Sequence, residues 1–600
     1  MSAHIFIFPF KWEYSGKQNK KKYNSMLFKN KIDISKFKKF LYEENWKYVQ
    51  KFKSDNDYSS EYKKILNGDK YKIHKAYNEY VYFYDNVRDA IYTKEDNKEN
   101  IVENYIFNKN DGKYKIYCFG KEEKKIIEYI LDIEKIELKV YTTGIAIMAF
   151  HLENNRYKSK EDILRINEFG RRLYPSFLPL KDAKESILAY KIILEFGNKE
   201  EVYEDFKTYE LNNQTYPKFN LIIDLLSQNE KFTCSKNEPD KIFIEPIIDD
   251  RMFTMCFYNY NAVSDYLKHY DSSNCTYNYE NSEYWDKLVF VDAQNSSCQN
   301  RIMRRQLLKK HTYSRWVDYG TLYGITMYSF IALSNGSDSE KENKLLQHHK
   351  TMYYQMVCLS LAQRASVLKF SSEASKISDL ASLDNKKTSK ELNDKVTSLH
   401  KQYIRFINKL HFREVSAQIQ GIELYNMLYE NMRLERDVKR LNEEISELHN
   451  FVSFNNERIT NSTLNMLTVL GALFIIPTFI TGLYGMNIFE EESIIKIEYN
   501  SVSWIACHIG IPMFIVLINL IKSVNIYQRI KKAIFTAGSI FIALIIAFYG
   551  ITPIICTLIV LYIVLLFMHE IVKVIKYISK SLKKGLKHIV KEVKKWLSQL

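Results

Sequence analysis

Residues 463–484 read TLNMLTVLGALFIIPTFITGLY, twenty-two positions without one charged side chain. About 20 apolar residues carry a helix across the hydrocarbon of a bilayer, so this stretch sets the class of the chain. Residues 502–521, VSWIACHIGIPMFIVLINLI, form a second such run. Residues 533–568 form a third, again uncharged and too long for one helix. Gly550 and Pro553 sit at its centre and mark a tight hairpin of two helices. The expectation is four spans, at 463–484, 502–521, 533–549 and 552–569. A buried core helix would explain any one of these runs but not their succession.

Charge gives the orientation. The chain has 600 residues and a net charge of +15, carried by two blocks. Residues 11–40 hold ten Lys against Glu13 and Asp33; residues 570–600 hold nine Lys against Glu570 and Glu592. The remainder is neutral, so no basic surface suits direct binding of nucleic acid. Lys522, Arg529, Lys531 and Lys532 lie between the second and third spans, whereas Glu490, Glu491 and Glu492 follow the first. By the positive-inside rule the basic loop, the tail 570–600 and the N-terminal region are cytoplasmic and the acidic loop faces outward; the expected location is the cell's inner (plasma) membrane. The N-terminus lacks the pattern of a secretory signal. Eight cysteines without a CxxC pair read as free thiols in a reducing compartment. No HExxH, phosphate-loop or dinucleotide fingerprint occurs, and no nucleophile–base pair stands out, so the chain reads as no enzyme.

Upstream of the first span, Leu434, Val438, Leu441, Ile445, Leu448 and Val452 recur at alternating spacings of four and three. That is an a/d seam, which packs one helix against another. Neither Pro nor Gly interrupts residues 422–469, which predicts one helix running into the membrane. About 60 residues at 1.5 Å each reach roughly 90 Å, a stalk. A helical hairpin within one chain is the other reading of this seam.

The sequence TNSTLNMLTV at 460–469 and IPTFITGLYGMN at 476–487 resembles the CorA family of magnesium channels, whose signature is the Gly-Met-Asn triplet, here Gly485, Met486 and Asn487. The resemblance covers about residues 425–521. It implies a homopentamer in the lipid bilayer, with the first spans lining a pore. Asn487 would form the selectivity ring, held by Gly485 and Met486; Thr478 and Asn461 would be deeper polar rings; Leu467 and Ile475 would be apolar constrictions. Mg²⁺ sheds water reluctantly, so a carbonyl ring that bonds its hydration shell suits it. No metal site of directly coordinating side chains and no bound cofactor is implied; Mg²⁺ or another divalent cation is the permeant or regulatory ion. Glu490, Glu491 and Glu492 would concentrate cations at the mouth. The extra hairpin of spans departs from the family pattern.

The first 340 residues read as an α+β sensor domain. Residues 5–10 and 115–119 are strand-like, and 137–152 is a longer strand broken at Thr142, Thr143 and Gly144. Residues 164–182 read as helix then turn, 345–370 as helix, and 371–393 as a turn before the stalk. The chemistry available is recognition. Arg171, Arg172, Arg251, Arg315 and Arg364 suit phosphate or carboxylate, and Tyr313, Trp316, Tyr319 and Tyr323 suit stacking on a base. Gly144, Gly170 and Gly320 permit close backbone approach. The plainer alternatives are core aromatics and salt-bridged surface arginines.

YTTGIAIMAFHLEN at 141–154 and INEFGRR at 166–172 look like the CorA-type membrane effectors associated with type III CRISPR systems. That resemblance implies a receptor for a nucleotide second messenger of the S-adenosylmethionine–AMP type, with Thr143, Gly144, Arg171, Arg172, Arg315, Trp316, Tyr323 and Arg364 as ligand candidates. A housekeeping magnesium or cobalt transporter gated by cytoplasmic Mg²⁺ is the alternative, and a membrane-anchored scaffold a third. The expected organisation is a sensor domain at 1–340, a helical region and stalk at 341–462, a membrane domain at 463–569 and a basic tail at 570–600.

Overall fold

The computed structural model describes residues 2–15, 34–41, 45–49, 78–93, 100–109, 111–119, 126–173, 189–197, 200–206, 219–227, 231–235, 238–249, 251–336, 343–381 and 386–485. It divides into two units, Met1–Asn455 and Asn456–Leu600.

The first unit is built on a mixed sheet. Its principal strands are β1 (Ser2–Ser15), β2 (Lys113–Phe119), β3 (Ile126–Tyr141), β4 (Ile145–Asn154), β5 (Lys191–Phe196), β6 (Glu200–Asp205), β7 (Lys241–Pro246), β8 (Phe253–Asn259), β9 (Thr312–Tyr313), β10 (Leu322–Ile325) and β11 (Ser329–Ser334). Their order is β9-β10-β11-β8-β1-β4-β3-β2-β5-β6, with β7 paired to the far end of β1. All these pairings are antiparallel except β8 with β11. The parallel step requires a crossover, and the chain between β8 and β11 contains α2 (Glu283–Phe290) and α3 (Arg301–His311). Before that, α1 (Lys160–Gly170) follows β4. Pro9 has no N–H to pair on both sides. It falls where β1 leaves β8, whose register ends at Ile7, and takes up β7, whose register starts at Phe10.

Side-chain alternation separates two cores. Ala3, Ile5 and Ile7 of β1, with Ile147 and Ala149 of β4, face the helices that follow the sheet. Phe6, Phe8 and Phe10, with Met148 and Phe150, fill the other face with Ile166 and Phe169 of α1. The expected strand at 5–10 and the break at 142–144 are both found. Gly144 turns β3 into β4 at φ +79°, its N–H bonding Tyr141 O and its carbonyl accepting from Trp12 N, each at 3.0 Å.

Four longer helices cover the first core: α5 (Tyr354–Ala381), α6 (Lys386–Lys409), α7 (Ile419–Asn431) and α8 (Leu434–Gly485), after a short α4 (Lys344–His348) and a π-helical turn, His349–Tyr353. An N-terminal α+β region followed by long helices is therefore the architecture. From Tyr354 to Ala365 α5 is buried nearly all round, as expected of a helix with protein on every side.

Three sequence expectations change here. The segment 371–393 is mostly helix: α5 continues to Ala381 because Ala374 and Ile377 extend its apolar face, and its Ser and Asp residues take the outer one. The helix expected to run unbroken from 422 stops at Asn431, since Arg433 adopts φ +56° and restarts the chain as α8. The a/d seam of 434–452 is filled within the chain. Leu434, Val438, Leu441, Ile445 and Val452 are buried in the core that holds Leu392, Val396, Leu399, Tyr403 and Phe406 of α6, with Leu410 just past its end. That α6 series alternates four and three as well. His400 and His449 meet ring to ring at 4.8 Å, and Ser371 Oγ bonds Glu444 at 3.3 Å.

In the second unit α8 continues to Gly485, with Ile459, Leu464 and Leu467 exposed. Among the described residues no helix is long and apolar enough to cross a membrane. The backbone of 463–484 is helical; the other three expected spans lie outside the described residues.

Candidate functional site

Of the expected ligand residues, the structure brings the arginines at the end of α1 together. Arg171 is the C-cap of α1, and Arg172 pairs as an isolated bridge with Arg251 just ahead of β8. Arg171 keeps only 3 % of its surface. Its Nη2 donates to Val291 O at 3.2 Å, and its own carbonyl accepts from Met252 N at 2.8 Å. Nε and Nη1 have no hydrogen-bond partner among the described residues. An unmet buried donor costs roughly 1–3 kcal/mol, more for a charged group. Arg172 lies 3.7 Å from Glu168, whose other oxygen accepts from Ala293 N. Arg251 Nε and Nη2 both donate to Asp249, at 3.1 and 2.8 Å, and its guanidinium lies over the Tyr328 ring. Burial, then the neighbouring Arg172 and Arg251 charges, pull Arg171 down to about 9. Burial likewise pushes the Glu168 carboxyl up, against the backbone hydrogen bond from Ala293.

The remaining candidates lie elsewhere. Thr143 Oγ1 accepts from Ser366 Oγ of α5 at 2.8 Å. Arg364 is paired with Asp437 of α8. Arg315 bonds Glu423 of α7 at 2.6 Å and lies over Trp316, while Tyr313 OH reaches the same carboxylate. Tyr323 is core, packed with Phe330 and Tyr353. Tyr319, 75 % exposed, and Trp316, 37 % exposed, are the open rings of that group. Gly170 is approached by the side chains of Phe6 and Ile116, and Gly320 (φ +77°) by Ser264 and Asn335. Most of the aromatic and arginine candidates thus serve packing and helix attachment, the plainer of the two readings.

Sequence reasoning missed a buried ionic knot where the helices join the sheet. Lys350, on the π-helical turn and 4 % exposed, reaches Glu134 and Glu153, both at 2.9 Å. Glu134 points there because β3 bulges between Ile133 and Lys135, and such an extra residue re-aims a side chain. Burial raises the Glu134 carboxyl, but Lys350 and Lys135 outweigh it and bring it down to about 2. Beside it Lys135 bonds Glu137 at 2.5 Å, His151 lies 3.7 Å from Glu137, and the His151 ring meets Tyr354 edge-on at 4.5 Å. Gln355 of α5 bonds Glu79, which also accepts from Tyr92 OH.

The expected pore positions fall on α8 and beyond it. Asn461, Leu467 and Thr478 are exposed along the helix, and Gly485 is its last residue. Ile475 lies on the helical backbone. Met486, Asn487, Glu490, Glu491 and Glu492 lie outside the described residues.

No curated protein sequence matches the chain. One family does: residues 340–522 match the family described as CorA-like Mg2+ transporter protein. The match takes in the helices from Lys344 to Gly485 and leaves the sheet outside it. The sheet therefore carries, on one of its faces, helices of the segment that matches this family.

Proposed function

We propose that this protein is a CorA-like divalent-cation channel opened by a ligand of its α+β region. The observation that carries the channel reading is the family match over 340–522, in which the long helix α8 ends at Gly485, the first residue of the Gly-Met-Asn triplet. In this reading α8 lines the pore of a membrane-embedded homopentamer. Asn487 forms the ring that bonds the ion's water shell, Asn461 and Thr478 form polar rings, and Leu467 and Ile475 form apolar constrictions that gate by dewetting. Gly485 and Met486 shape the outer loop, and Glu490, Glu491 and Glu492 draw cations to it. Phe454, Ile459, Leu464 and Leu467 are exposed on α8; neighbouring copies of the helix would cover them. The N-terminal region and the tail are cytoplasmic.

The ligand in this proposal is a nucleotide second messenger of the S-adenosylmethionine–AMP type, and the role that of a type III CRISPR effector. Its support is the resemblance at 141–154 and 166–172, the buried arginines at the end of the latter, and an α+β region outside the family match. The structure gives residues 141–154 packing roles, so the receptor reading leans on Arg171 and Arg172. A transporter gated by Mg²⁺ itself is the second reading, favoured by the intact triplet.

Cation flux into liposomes tests both, with and without the messenger at fixed Mg²⁺. Messenger-dependent flux upholds the first reading. Flux that ignores the messenger and falls as internal Mg²⁺ rises upholds the second. Asn487→Leu is expected to abolish flux while the oligomer still assembles on size exclusion; undiminished flux removes the pore assignment.

A further inference from the structure

We infer that the buried arginine cluster Arg171–Arg172–Arg251 is a binding site for a phosphate-type oxyanion, with Arg171 Nε and Nη1 as donors to it. The inference deepens the receptor reading above, and rests on it only for the link between occupancy and flux.

A guanidinium carries five N–H bonds. Val291 O takes one of those on Nη2. The three on Nε and Nη1 meet no acceptor among the described residues, in a side chain whose residue is 3 % exposed. Buried donors are normally satisfied. Arg315 and Arg364 each hold a carboxylate, which leaves on Arg364 only Nε buried without an acceptor among the described residues.

The carboxylates at hand are already engaged. Asp249 takes the fork of Arg251, and Glu168 is shared between Arg172 and the Ala293 amide. Neither carboxylate bonds Arg171 Nε or Nη1, and Arg171 is the most buried of the three arginines. A buried charge left uncompensated is unfavourable, and an oxyanion supplies both the charge and the acceptors.

Planar guanidinium donors match phosphate oxygens in pairs, and a doubly charged anion draws on Arg172 and Arg251 as well as Arg171. The frame is rigid: Arg171 closes α1, its carbonyl holds Met252 at the start of β8, and Val291, at φ +59°, presents its carbonyl to the guanidinium. A monocarboxylate would satisfy fewer of these donors.

The test is isothermal titration of the full-length protein in detergent with inorganic phosphate and with phenyl phosphate, against chloride at equal ionic strength. Saturable binding is expected, weakened on the order of tenfold or more in Arg171→Met, as fits the loss of charge-assisted hydrogen bonds. Tighter binding of phenyl phosphate identifies an ester as the natural ligand; tighter binding of inorganic phosphate identifies the free ion. No saturable heat with either, or equal affinity in wild type and Arg171→Met, overturns the site. If Arg171→Met loses its far-UV dichroism, Arg251→Gln decides, because that side chain is 29 % exposed and less needed for folding. Undiminished affinity there overturns the site as well. Saturable phosphate binding by a protein that conducts no cation upholds the site and overturns only the channel reading.

Discussion

Replacing Lys350 by Met should loosen the joint between sheet and helices by a predictable amount. Lys350 Nζ sits 2.9 Å from Glu134 and from Glu153 and is buried with its π-helical turn. Met keeps the length of the stem and removes the charge. Glu134 ordinarily ionises near 4.5 and is held at about 2 in the folded chain. At about 1.4 kcal/mol per pH unit, that difference corresponds to roughly 3 kcal/mol at neutral pH. Lys135 contributes part of it, and Glu134 keeps 28 % of its side-chain surface in solvent, so about 2 kcal/mol is the working figure. The sign follows from a depressed carboxylate. Its contribution is complete above about pH 4.5 and is lost as pH falls toward 2. The Lys350→Met protein should therefore unfold at lower urea than wild type at pH 7, with the gap narrowing below pH 4.5. Glu134→Gln in the Lys350→Met background should recover part of the loss, since an unpaired buried carboxylate is the main cost. Urea titrations followed by tryptophan fluorescence measure all of this. Equal midpoints at pH 7, or a deficit unchanged at pH 3.5, would refute the reasoning.

Acid should destabilise the first unit early. Burial holds His4 at about 4 and His349 at about 3, below the ordinary 6.5, so both stay neutral in the fold while the unfolded chain takes up protons. Stability is then lost as pH falls below 6.5, at about 1.4 kcal/mol per pH unit for each histidine. His349→Leu should remove its share, and urea midpoints at pH 7, 6 and 5 that fall equally in both proteins would contradict this. Gly170→Ala should cost about 1–3 kcal/mol, because a Cβ there would lie 2.8 Å from Phe6 and Ile116; a thermal midpoint unchanged from wild type counts against that packing. Arg433→Gly should stabilise by about 0.5 kcal/mol, since Arg433 holds φ +56° between α7 and α8. A loss on denaturation would mean the Arg433 side chain contributes more than its backbone costs.

How much of this was legible in the sequence depended on whether the pattern named its own partner. The strand at 5–10 was readable because β-branched and aromatic residues alternate, and the turn at 144 because only a glycine sits easily at φ +79°. The seam at 434–452 was readable as a helix needing a partner, but a heptad does not say whose. Its counterpart, Leu392 to Leu410, begins inside a segment rich in Ser, Asp and Lys, and that composition masked an equally regular seam. The break at Arg433 had no local signal, as neither Pro nor Gly occurs there. The ionic knot was misleading for the opposite reason. Lys135, Glu137 and Lys139 alternate along β3, a pattern equally common on a solvated face, whereas here Lys135 pairs with Glu137, Lys139 bonds the Asn104 amide oxygen, and both lysines lie over the Tyr354 ring of α5. Arg171 shows where the same logic turns toward function. Its charge is as buried as that of Lys350, yet Lys350 has two carboxylates and Arg171 one carbonyl. Folding gives Lys350 its partners; in the site proposed above, a bound oxyanion completes Arg171, whose Nε and Nη1 meet no acceptor among the described residues.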